Sequence, residues 1–108
     1  MQTIELEKLT KGEVHNLSGH DRGRAARNFF NLSELDNVDD IVVVSVPEHI
    51  YTITSSFFQG MFADSVKRLG TREDFLSRYR FDADPVVLQQ IEQGIRASLM
   101  KRGSIFAH

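Results

Sequence analysis

Hydrophobic and polar positions change rhythm several times along this chain, and each rhythm predicts an element. Residues 2–7 (Gln-Thr-Ile-Glu-Leu-Glu) alternate polar with apolar, the period of a half-exposed strand. After a polar stretch around Gly12, Ser18 and Asp21 have the spacing of a capping box at a helix start. In that helix Ala26, Phe29 and Phe30 form the inward stripe, and the arginines point elsewhere. Residues 33–36 predict a single helical turn. The run Ile41-Val42-Val43-Val44-Ser45-Val46 is β-branched and apolar on both faces, which marks an interior strand. Pro47-Glu48-His49 reads as a turn, and residues 50–53 as a second short extended piece.

Beyond it, Phe58, Met61, Phe62, Val66 and Leu69 recur at helical spacing, with Gly60, Asp64 and Lys67 on the opposite side and Gly70 as the stop. Thr71 with Asp74 starts a short helix, and residues 78–82 alternate as a strand. Asp84 and Pro85 open the last helix, whose stripe is Leu88, Ile91, Ile95 and Leu99 and whose stop is Gly103. This alternation of strands and helices predicts an α/β fold, with helices packed on a small mixed β-sheet.

Composition narrows the class. A chain of 108 residues, 41% hydrophobic and without repeat or linker, is sized for one domain spanning 1–108. It has no cysteine, which excludes a disulfide scaffold, a thiolate zinc site and a cysteine nucleophile. A net charge of −2 argues against a general nucleic-acid coat and a polybasic membrane binder. No apolar run approaches the ~20 residues of a membrane span, and the first residues lack a basic start and an apolar core, which fits a cytoplasmic protein. No phosphate-binding Gly-x-x-x-x-Gly-Lys-Ser/Thr loop occurs, and no cofactor is expected.

The most informative stretch is Thr54-Ser55-Ser56-Phe57-Phe58, where a strand runs into a helix through small hydroxyl side chains. The first N–H groups of a helix lack partners, and its dipole is positive at that end. Hydroxyls there cap the helix, and they are equally able to carry a phosphate. The run from Ile41 through Ile53-Thr54-Ser55-Ser56-Phe57-Phe58 to Leu69-Gly70, with Ser18-Gly19-His20-Asp21-Arg22 upstream, resembles the STAS superfamily, the sulphate-transporter and anti-sigma-factor-antagonist fold. It is more closely similar to the bacterial STAS-like domains that carry Thr/Ser-Ser-Ser-Phe where the antagonists have Asp-Ser-Ser-Gly-Leu-Gly.

The resemblance implies a STAS-like fold and a non-enzymatic regulatory module with a protein partner, either a histidine-kinase-like ATPase or a DNA-binding regulator. It aligns Ser56 with the serine that a partner kinase phosphorylates, Ser55 with the serine before it, and Thr54 with the aspartate. Phe57 and Gln59 stand where the antagonists have glycines, and would shape the surface a partner meets. Phe57 has two readings: a cover for the sheet edge, or an aromatic anchor for a partner.

Arg22, Arg24 and Arg27, with His15 and His20 nearby, form the alternative site, an anion- or nucleic-acid-binding patch weighed against a solvated helix face. Without interleaved aromatics the nucleic-acid reading is weak. His15, His20 and Asp21 match no metal-ligand spacing, so no metal is expected. A hydrolase joining Ser55 or Ser56 to His49 lacks the Gly-x-Ser-x-Gly elbow. Edge strands of a small sheet leave a homodimer open.

Overall fold

The computed structural model describes residues 1–100. In chain order these form β1 (Gln2–Glu5), α1 (Glu7–Thr10), β2 (Asn16–Leu17), α2 (His20–Phe29), α3 (Leu32–Leu35), β3 (Val42–Ser45), β4 (Thr52–Ile53), α4 (Ser55–Leu69), α5 (Arg72–Arg78), β5 (Tyr79–Asp82) and α6 (Pro85–Met100). The β-branched run becomes β3, the centre of a three-stranded sheet ordered β1-β3-β5, and β2 pairs with β4 in a second, two-stranded sheet.

Every pairing is parallel, with Gln2 opposite Val42, Val42 opposite Tyr79 and Asn16 opposite Thr52. The expected mixed sheet is therefore corrected to a parallel one. Helices separate the paired strands in sequence, and each crossover returns the chain in the same direction. Among the described residues no helix is long and apolar enough to cross a membrane.

α4 is the central helix, and two glycine contacts set its neighbours. A Cβ on Gly23 of α2 would stand 2.2 Å from the Phe57 carbonyl oxygen, and one on Gly60 would stand 2.2 Å from the His20 carbonyl oxygen. The two backbones thus meet with no side chain between them. On the other flank Gly94 of α6 makes room for the Phe58 ring, 2.6 Å from where its Cβ would be. Beneath α4, Phe58, Phe62, Phe75, Tyr79 and Phe81 form an aromatic cluster with centroid separations of 5.2–6.3 Å. Each fully buried ring of this kind contributes about 2–3 kcal/mol of transfer free energy.

Several sequence expectations shift once the helices are oriented. α2 starts at His20, and Ser18 makes no cap; Gly19, at φ 93°, takes the cap position instead. Gly23, Ala26 and Arg27 define the buried face of α2. Phe29 lies about 110° round from the centre of that face and is 61% exposed. Gly60, expected on the outer side of α4, is buried against α2. In α6 the inner face is Val87, Ile91, Gly94, Ile95 and Ser98, while Leu88 and Leu99 turn outward. Gly103 lies outside the described residues. Thr71 caps α5 as expected, accepting from the Asp74 amide at 3.1 Å.

Candidate functional site

The strand-to-helix junction forms where the sequence places it, and the structure gives its three hydroxyls three different jobs. Thr54 is extended (φ −75°, ψ 158°), with its amide donating to the Leu17 carbonyl at 2.9 Å on β2. Its Oγ1 accepts from the Phe57 amide at 3.2 Å, and its carbonyl accepts from the Phe58 amide at 3.0 Å. Thr54 is therefore the N-cap of α4. Ser55 Oγ accepts from Gln59 Nε2 at 3.0 Å, a contact one turn along the same helix face. Ser56 is exposed, and among the described residues its Oγ meets only the Thr54 hydroxyl, at 3.1 Å.

Charge at this end of α4 is unbalanced. The 15-residue helix has no acidic side chain in its first turn and carries Lys67 and Arg68 in its last. Its basic end is matched to the dipole, and its positive end is left open to an anion. Thr54 occupies the Phe57 and Phe58 amides, while the Ser55 and Ser56 amides donate to no backbone acceptor among the described residues.

Of the two readings of Phe57, burial speaks against the one that needs an accessible ring. Its side chain is 3% exposed and belongs to the core, lining the inner end of an apolar groove beside α2. The expectation that Phe57 anchors a partner by its own exposed ring is corrected. The residue before it in the helix faces water, and the next inward turn, confined by Gly23, carries the ring under α2. Gln59 is half-buried and engaged with Ser55.

The arginine patch dissolves on inspection of its partners. Arg27 is buried, not solvated. Its Nη1 donates to the Met61 carbonyl at 2.9 Å and to Ser65 Oγ at 3.0 Å, and its Nη2 donates to Asp36 Oδ2 at 2.5 Å. Ser65 Oγ donates onward to Asp36 Oδ1 at 2.7 Å, and the Tyr79 hydroxyl donates to the same oxygen at 2.5 Å. The Arg27 and Asp36 side chains are 6% and 5% exposed. Burial first, and then the Asp36 carboxylate, push the Tyr79 hydroxyl well above the usual phenol range. Arg24 is exposed and lies 3.8 Å from Asp64, and Arg22 is exposed without a carboxylate partner among the described residues. The expected three-arginine anion site is thereby corrected: Arg27 ties helices together, and of the three only Arg22 has no acidic partner among the described residues.

Two of the histidines, His15 and His49, meet elsewhere. His15 stacks on Tyr51 (5.2 Å, 7° between planes), and its Nδ1 donates to the His49 carbonyl at 2.8 Å. His49 Nε2 lies 3.0 Å from Thr10 Oγ1 and 3.6 Å from Glu7 Oε1. His49 thus spends its Nε2 on α1, while Ser55 and Ser56 bond to Gln59 and Thr54, so no serine–histidine hydrogen bond forms at this junction among the described residues. Among the described residues no three His, Asp or Glu side chains cluster at metal-binding distance.

Sequence reasoning missed Gly23, Gly60 and Asp36. The sequence pattern places Gly60 on the outer side of α4 and assigns Gly23 no role, and only a facing backbone distinguishes a crossing glycine from an incidental one. The acidic stretch 34–40 is open as a partner for the arginines, but nothing in it marks Asp36 as the buried one. Comparison with known proteins adds no relative: no protein-family model, curated protein or solved structure matches the chain.

Proposed function

We propose that this chain is a regulatory protein-interaction module of STAS-like type, without catalytic activity of its own, switched by phosphorylation at the start of α4. Ser56 is the switch residue, with Ser55 and Thr54 beside it. One observation carries the reading: Thr54 and not Ser56 accepts from the Phe57 amide, so the exposed Ser56 hydroxyl can be modified while the cap bond is kept. A phosphate adds about −1.5 to −2 charge at a helix end whose first turn holds no carboxylate. The local dipole favours that charge. The domain stays folded, and a partner with an acidic or apolar contact face is repelled. A histidine-kinase-like ATPase or a DNA-binding regulator is the partner class that fits the STAS resemblance.

The test is incubation of the protein with ATP and cell extract, followed by mass-spectrometric localisation of phosphate. Phosphate is expected on Ser56 and absent from Ser56→Ala. Ser56→Asp is expected to keep the unfolding free energy within about 0.5 kcal/mol of the parent and to lose a partner that co-purifies with the parent. Persistent absence of phosphate on residues 54–56, together with equal partner recovery by both variants, overturns the proposal.

A further inference from the structure

A second open feature lies on the other side of α2. β2 is the two-residue strand Asn16–Leu17, and β4 is the one strand paired with it among the described residues. The Leu17 carbonyl accepts from the Thr54 amide at 2.9 Å and the His15 carbonyl from the Tyr51 amide at 2.8 Å, so residues 15 and 17 address β4. Alternation along an extended strand then turns the N–H and C=O of Asn16 to the opposite edge. No strand of the described chain lies there.

Beside that edge runs an apolar groove of about 320 Å³, with Val14, Asn16 and Ser18 along one wall and Arg22, Ala25 and Phe29 of α2 along the other. Val14 is 39% and Phe29 61% exposed, so the mouth of the groove is hydrophobic. Arg22 is the one charged residue on the lining. Unlike Arg24 and Arg27, which reach toward Asp64, it has no acidic partner among the described residues.

We infer that this groove takes an extended segment of a partner protein, added as a strand along the free edge of β2. Its apolar residues enter the groove at alternate positions, and an acidic residue meets Arg22. The Asn16 amide and carbonyl supply the main-chain register, and the trough reads side chains, the division of labour that strand addition uses elsewhere. A second copy of this chain fits less well. Its β2 edge, Asn16–Leu17, offers no acidic side chain to meet Arg22. The inference is independent of the serine switch, since no part of it needs Ser56 modified.

The test is selection from a phage-displayed library of random peptides, using the full chain as bait. The enriched peptide is then synthesised and titrated by fluorescence anisotropy. Enriched sequences are expected to alternate apolar residues and to include an acidic one. Affinity should fall about tenfold in Arg22→Glu, the loss of roughly one charge-assisted contact. It should also fall in Asn16→Pro, which removes the outward amide and leaves the bonds to β4, and in Ala25→Trp, which fills the exposed groove. Circular-dichroism melts check that each variant is folded, and backbone N-methylation of the peptide provides a readout that needs no protein variant. The inference is overturned if no sequence is enriched, or if the winning peptide binds Asn16→Pro and Ala25→Trp as tightly as the parent. A concentration-dependent dimer abolished by Asn16→Pro assigns the edge to self-association and overturns it equally.

Discussion

Taking away the Arg27 guanidinium leaves the Asp36 carboxylate buried between Ser65 and Tyr79 without its ion-pair partner, since Arg78 reaches only the Asp36 main-chain carbonyl among the described residues. Breaking a buried pair in this way costs about 3–5 kcal/mol, so Arg27→Ala is expected to lower the urea midpoint severely or to abolish folding. The same cluster makes stability depend on alkaline pH. The Tyr79 phenol is held above its ordinary value in the folded chain, so its contribution is complete below about pH 10, the unfolded value, and is lost as pH rises beyond it. Urea midpoints measured across that range should fall in the parent and fall less steeply in Tyr79→Phe. At the helix start, Thr54→Ala should cost about 1 kcal/mol by loss of the cap, while Ser56→Ala stays within about 0.5 kcal/mol. Equal losses at the two positions would show that Ser56 shares the capping and is not spare.

Between elements, the α2–α4 crossing inverts an ordinary expectation. Alanine in place of glycine inside a helix gains up to about 1 kcal/mol in propensity. At Gly23 and Gly60 the added carbon meets a carbonyl oxygen 2.2 Å away, so the backbones have to separate. Overpacking of this kind costs about 1–3 kcal/mol, and both Gly23→Ala and Gly60→Ala should unfold at lower urea concentration than the parent. This crossing also explains which elements were legible in the sequence. β3, the α4 stripe of Phe58, Met61, Phe62 and Val66, the Thr71 cap and the Asp84-Pro85 start follow from local chemistry alone. α1 and β2 did not show, because helices and strands of four and two residues are made by tertiary partners and leave almost no periodic trace. Phe29, Leu88 and Leu99 were assigned inward because an apolar side chain reveals its type and not the rotation of its helix. At the candidate site the position of the hydroxyls at a helix start was readable. Their separate duties were not, since those depend on Gln59 one turn on and on which oxygen reaches the Phe57 amide.

Across the whole molecule, one core runs under both sheets, from Ile4 and Val44 through Ile53 and Phe58 to Ile95. Unfolding should therefore be a single transition, with urea curves from near- and far-ultraviolet circular dichroism coinciding. The parallel register has a kinetic consequence as well. Gln2 seeks Val42, Val42 seeks Tyr79 and Asn16 seeks Thr52, so each pairing closes a loop of more than thirty residues and none is a hairpin. Loop entropy of that size has to be met before any ladder bond repays it, which puts refolding in the slower part of the range for chains this small. During synthesis, β3 has one flank bare until Asp82 has left the ribosome, and Asp36 waits for the hydroxyl of Tyr79. Fragments that stop short of Tyr79 should therefore lack a cooperative unfolding transition.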